Sequence, residues 1–126
     1  MRLLLDTHAY LWWLRDDVKL SRAARDAISD AGCLVHVSAA TIWEIAIKQQ
    51  LGRLDLHGED LMLEIEANAF VDLPMSVRHA QRVGSLPLHH RDPFDRMLVA
   101  QAELETLTLV THDRALEAYG IDVLWT

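Results

Sequence analysis

Short apolar runs alternate along the chain with longer stretches whose apolar residues recur at helical spacing, and polar or glycine breaks separate them. Arg2 to Leu5 form an apolar run ended by Asp6, and Tyr10 to Leu14 continue as an aromatic, helix-compatible segment, so a strand followed by a helix is expected. Ser21 is placed to cap a helix through S-R-A-A-R-D-A-I-S-D-A, Gly32 stops it, and C-L-V-H-V reads as a buried strand. Ser38 opens A-A-T-I-W-E-I-A-I-K-Q-Q-L, a helix whose Ile42, Ile45, Ala46 and Gln49 or Gln50 share one side and which ends at Gly52. A polar turn, R-L-D-L-H-G-E-D, leads to a helix near Leu61 to Ala69, then to F-V-D-L-P as a short strand and S-V-R-H-A-Q-R-V-G as a short helix. Breaks are expected at Pro74, Gly84 and Pro87.

The last third repeats the rhythm. In H-H-R-D-P-F-D-R-M-L-V-A-Q-A, Asp92 stands before Pro93, a residue favoured at the first helical position, so Asp92 reads as the N-cap and Asp95 falls in the first turn. L-T-L-V-T follows as a strand, Arg114 to Tyr119 as a short helix stopped by Gly120, and I-D-V-L-W as a closing strand. Strands alternating with helices from end to end predict an α/β fold of three layers, a mainly parallel sheet covered by helices on both faces. No internal repeat or linker interrupts residues 1–126, so one domain is expected.

Composition narrows the partners. Hydrophobic residues make up 51% and charged residues 25%, as in ordinary folded proteins. The formal net charge of -7 argues against a broad basic surface for nucleic acid, and leaves room for a local patch. Of the 12 basic residues all but Lys19 and Lys48 are arginines, the type suited to bidentate phosphate contacts. Cys33 alone allows no internal disulfide and fits a reducing compartment, in a buried strand position. M-R-L-L-L-D-T-H holds three consecutive apolar residues before an aspartate, so neither export nor a membrane anchor is expected, and the expected location is cytoplasmic.

Four acids fall where the strand-to-helix loops of a parallel sheet meet: Asp6 after the first strand, Glu44 in the helix after the second, Asp95 in a first helical turn, and Asp113 directly after L-T-L-V-T-H. Each has a plain alternative. Asp6 and Asp113 could be helix caps, Asp95 a dipole-favoured surface carboxylate, and Glu44 part of a solvated helix face. A glutamate between Trp43 and Ile45 costs several kcal/mol, of the order of 2–7, if buried without a partner. Converging carboxylates with no lysine among them call for shared protons or a divalent cation, and an all-oxygen set suits Mg2+ or Mn2+.

These segments carry a resemblance. L-L-D-T-H-A-Y-L-W, S-A-A-T-I-W-E-I-A-I-K, D-P-F-D-R-M-L-V-A-Q-A and L-V-T-H-D, in this order over nearly the whole chain, resemble the PIN-domain ribonucleases of the VapC type, the toxin half of type II toxin-antitoxin pairs. The resemblance implies a PIN-like α/β/α sandwich and a Mg2+- or Mn2+-dependent endoribonuclease that leaves a 5'-phosphate and a 3'-hydroxyl. It also implies that Asp6, Glu44, Asp95 and Asp113 form the acidic quartet holding one or two ions, with Asp92 accessory and Thr111 at the polar position that accompanies the last acid. A homodimer and a cognate antitoxin whose tail crosses the acidic cleft are implied partners.

Arg91, Arg96 and Arg114 lie beside the acids in sequence and are candidates to meet RNA phosphates, against the alternative of ordinary surface ion pairs worth at most about 1 kcal/mol. His8, His89, His90 and His112 read as solvated loop residues or weak phosphate contacts, and Trp12, Trp13, Trp43 and Trp125 as core or dimer contacts. His-His-x-Asp is also found in metal phosphohydrolases, but those are helical throughout. A phosphoacceptor signalling domain is a rival of similar rhythm, yet C-L-V-H-V-S and L-T-L-V-T-H-D supply neither its strand-ending aspartate nor its late lysine. A non-catalytic RNA- or partner-binding module on the same fold is the other alternative.

Overall fold

A computed structural model describes all residues from Met1 to Thr126. In chain order the elements are β1 (Arg2–Leu5), α1 (Thr7–Leu14), α2 (Arg22–Ser29), β2 (Leu34–Ser38), α3 (Ala39–Gln50), α4 (Leu61–Ala67), β3 (Val71–Leu73), α5 (Val77–Ser85), α6 (Pro93–Glu105), β4 (Thr108–Thr111), a 3-10 helix (Arg114–Tyr119) and β5 (Val123–Trp125). The strands form one sheet in the order β3-β2-β1-β4-β5, and every pairing is parallel. The expected three-layer α/β architecture is thus present, with a sheet that is wholly parallel.

Side-chain alternation along β1 divides the core. Leu3 and Leu5 join Tyr10, Leu11, Ala24, Ile28 and Ile65 on one face, while Leu4 joins Leu98, Val99, Ala102 and Leu116 on the other. β1 lies in the middle of the sheet and is covered on both sides, which is why it reads as continuous leucine rather than as an alternating pattern. No helix is long and apolar enough to cross a membrane.

The expected caps are where the sequence placed them. Ser21, Ser38 and Asp92 each accept a hydrogen bond from a backbone N–H in the first turn of the following helix, and Ser76, expected inside its helix, caps α5 in the same way. Gly52 (φ 72°) and Gly120 (φ 71°) turn the chain in the left-handed region after α3 and the 3-10 helix.

Two expectations need correction and two are narrowed. Gly84 does not break α5, which runs one residue further to Ser85. Cys33 precedes β2 and is half-buried against the core rather than a buried strand residue. Of the side shared by Ile42, Ile45, Ala46 and Gln49, Ile45 is buried and Ile42 packs on the core, while the other buried residues of α3 are Ala40, Thr41 and Glu44, because the helix packs against both α1 and α6. Trp43, expected as a core or dimer contact, is 56% exposed and meets Phe94 edge-on at 5.2 Å, so it is no core residue.

Candidate active site

A helix that precedes a parallel strand starts at the edge where the strands end, so the α6 N-terminus joins the loops that leave β1, β2 and β4. In the sheet these three strands are neighbours in the order β2-β1-β4. The carboxyl edge therefore receives Glu44 from the β2 side, Asp6 in the middle, and Asp113 from the β4 side, with Asp95 arriving on α6.

Asp6 is the best-held member. It caps α1 through Oδ1, which accepts from the Ala9 N–H at 2.8 Å, and its Oδ2 accepts from the Thr111 hydroxyl at 2.6 Å. It is only 4% exposed, and burial raises its pKa above the usual carboxylate range. The two hydrogen bonds and the nearby His8 oppose that rise, and Glu44 adds to it. Thr111 also accepts the Asp113 N–H at 3.1 Å, so one hydroxyl ties the first acid to the last.

Glu44 is 5% exposed, and the cost of burying it is offset by two partners. Its Oε1 accepts from the Thr7 hydroxyl at 2.6 Å, and its Oε2 lies 2.7 Å from the Lys48 ammonium one helical turn away. The expectation that no lysine stands among the acids is therefore corrected. The Glu-to-Lys spacing of four was the signal that could have revealed it.

Asp95 differs from both. Its backbone N–H donates to the Asp92 cap at 3.2 Å, but its carboxylate accepts no hydrogen bond, and the nearest donor, His90 Nε2, stays at 3.6 Å. Burial, then repulsion from Asp92, Asp6 and Glu44, pushes its pKa up to about 7, with His90 acting against them. Asp6, Glu44 and Asp92 thus lie near enough to Asp95 to repel its charge. Asp92 itself is occupied as the α6 cap, accepting from the Phe94 and Asp95 N–H groups.

Asp113 caps the 3-10 helix through the Ala115 N–H at 3.0 Å and pairs with His90 Nε2 at 2.7 Å. Partial burial pushes its pKa up, but the hydrogen bonds from His90 and the Ala115 N–H, with His8 nearby, more than offset this, and it titrates below the usual range. His90 Nδ1 accepts the Asp92 N–H at 3.0 Å, which fixes the tautomer and leaves Nε2–H to donate to Asp113. His90 is thus no solvated loop residue. It joins Asp95 and Asp113 in a group whose ligand atoms lie within 4.8 Å of one another.

The three arginines named from sequence have different fates. Arg96 donates to the carbonyls of Val83 and Leu86 at 3.1 Å, which commits it to the end of α5 and takes it away from any phosphate. Arg114 lies over the Trp125 ring at 4.1 Å, next to Asp113, and Arg91 lines a groove on the Glu44 side.

Comparison with known proteins places this geometry. The PIN domain family model matches residues 3–122. No curated protein matches the chain in sequence. Among solved structures, VapBC2 from Rickettsia felis, bound to a DNA fragment from their promoter, is similar with a TM-score of 0.74 at 13% identity, over 99% of this chain and 98% of that one. DNA-bound VapBC from Salmonella typhimurium is similar with a TM-score of 0.74 at 18% identity, over 99% and 98%. A toxin-antitoxin complex from Klebsiella pneumoniae is similar with a TM-score of 0.66 at 18% identity, over 97% and 95%. At these identities the likeness is one of fold.

Proposed function

The chain belongs to the PIN-domain family, and from that premise we propose that it is a metal-dependent endoribonuclease, the toxin of a type II toxin-antitoxin pair. One observation carries the reading above the others: Asp95 is pushed to about 7, first by burial and then by repulsion from Asp92, Asp6 and Glu44, and its carboxylate accepts no hydrogen bond within the chain. A carboxylate arranged only for its caps would not be left in that field.

The donor set fits a hard divalent cation. Asp6, Glu44, Asp95 and Asp113 offer carboxylate oxygens, and together they would hold one or two Mg2+ or Mn2+ ions, directly or through water. Such an ion, when bound, supplies charge neutralisation to a phosphodiester and the activation of a water as nucleophile. The chain's own residues keep the acids in place. The Ala9 N–H and Thr111 hydroxyl hold both oxygens of Asp6, Thr7 and Lys48 hold those of Glu44, and His90 and the Ala115 N–H hold those of Asp113. Asp92 starts the helix that delivers Asp95, and Arg114 lies close enough to Asp113 in sequence to meet an adjacent phosphate.

The antitoxin is the partner, with a tail that crosses the acidic cleft, and the toxin acts as a homodimer. Support for a protein partner comes from the similar fold of a toxin-antitoxin complex and from an apolar groove of about 420 Å³ between α3 and α4, where Trp43 and Met62 lie largely exposed.

The test is incubation of the purified chain, free of any partner, with total cellular RNA in Mg2+ or Mn2+, beside EDTA and the Asp6→Asn variant. Discrete cleavage that both controls abolish is expected. Cleavage by folded Asp6→Asn at the native rate overturns the assignment.

A further inference from the structure

The acidic edge does not end at Glu44. A groove of about 360 Å³ continues from it, walled by α3 on one side and the start of α6 on the other, and within the size range of about 300–1,000 Å³ usual for small-ligand sites. Its floor is apolar, formed by Ile47, Leu51, Pro93 and Phe94, and its cations are Lys48, Arg53 and Arg91. Glu44 and Asp92 close the end toward the acids, one neutralised by Lys48 and the other turned into the α6 cap.

The two arginines stand apart from most of the basic residues. Arg22, Arg25 and Arg82 each have a carboxylate partner, and Arg2, Arg15 and Arg96 donate to backbone carbonyls. Arg53 and Arg91 are exposed and have neither, in a chain with 19 acidic residues available to pair with them. Gly52, at φ 72°, turns the chain out of α3 and delivers Arg53 to the groove. Two unpaired guanidiniums and an ammonium over a floor that includes an aromatic ring suit one phosphate and one base face.

We propose that this groove is a nucleotide subsite, in which Arg53, Arg91 and Lys48 hold the backbone phosphate next to the scissile one while its base rests on Leu51 and Phe94. The inference rests on the ribonuclease reading and gives it a direction: single-stranded RNA leaves the acidic edge on the β2 side of the sheet. The shared wall at Glu44 and Lys48 favours RNA over an acidic segment of a protein partner. A strand whose phosphodiester sits among the acids has room to pass its neighbouring unit along this groove.

The test is binding of a short single-stranded RNA to the full chain in Ca2+, which is not expected to support cleavage, with the wild type and Arg53→Ala/Arg91→Ala compared over a salt series. The expected loss is about tenfold for each arginine. The slope of log K against log salt should flatten by up to about 0.7, the value for one phosphate on a single strand, because both arginines meet the same phosphate. The rise in Tm with Mn2+ should match the wild type, which shows that the fold and acidic centre are intact. Equal RNA affinity and slope in a variant whose wild-type parent cleaves RNA overturn the subsite and leave the ribonuclease reading standing. So does unchanged RNA binding with loss of binding to an oligoglutamate peptide, which assigns the groove to a protein. A wild type that neither binds nor cleaves RNA removes both readings together.

Discussion

Two clusters of buried polar side chains lie in this molecule, and they are satisfied to different degrees. Behind β2, Gln101 is fully buried, yet its Oε1 accepts from the Ser38 hydroxyl at 2.5 Å and its Nε2 donates to the Pro74 carbonyl at 3.2 Å. His79 beside it accepts the Ser76 N–H and donates to Glu105 at 2.8 Å. Every group there has a partner, and the network pins α5 and α6 to β2. At the carboxyl edge the acids repel one another, and Asp95 accepts nothing. The first cluster is complete within the chain, while the second leaves Asp95 without a partner, as the proposed cation site requires.

That contrast is breakable at both ends. The largest effect is expected from Asp6→Asn, which keeps the α1 cap and removes the charge. RNA cleavage should fall by roughly 10³-fold or more, with the urea midpoint close to the native one. Gln101→Leu should do the reverse: it leaves the Ser38 O–H without an acceptor and the Pro74 carbonyl without its donor, and lowers stability by about 2–4 kcal/mol, with metal binding retained. Urea unfolding and cleavage rates on both variants check the pair, and loss of activity with native stability in Gln101→Leu would erase the distinction.

Asp95→Asn sharpens it through pH. The folded pKa of about 7 lies above the unfolded value near 3.9, so between these pH values the folded state binds the proton more tightly. The metal-free wild type therefore loses stability as pH rises from about 4 to 7, and Asp6 is shifted in the same direction. In EDTA the Asp95→Asn variant should match the wild type near pH 4 and exceed it at pH 8, by of the order of 1–4 kcal/mol. Equal Tm values at pH 8 contradict this. A smaller effect is expected from His90→Ala, which frees Asp113 without removing an acid and should weaken Mn2+ binding by about 10–100-fold, measured by calorimetry.

The sequence made the framework legible because its signals are local. Ser21, Ser38 and Asp92 each sit one residue before a helix, and a cap needs nothing beyond its own first turn. Asp6, Glu44, Asp95 and Asp113 could be grouped because strand ends in a parallel sheet share an edge. The missed features depend on distant partners. His90 meets Asp113 across 23 positions, and which side of α3 is buried depends on α1 and α6 packing against it together. The exposed, unpaired state of Arg53 and Arg91 is likewise a property of the folded surface.

The central claim is that the acidic edge is a cation site centred on Asp95. Titration of Mn2+ into the metal-free chain near pH 6.5, by calorimetry in buffers of differing ionisation heat, tests it most directly. The account predicts binding with release of close to half a proton or more at the pH where Asp95 is largely protonated, and at least tenfold weaker binding without that release in Asp95→Asn. No binding by the wild type, or equal binding with equal proton release in the variant, contradicts it.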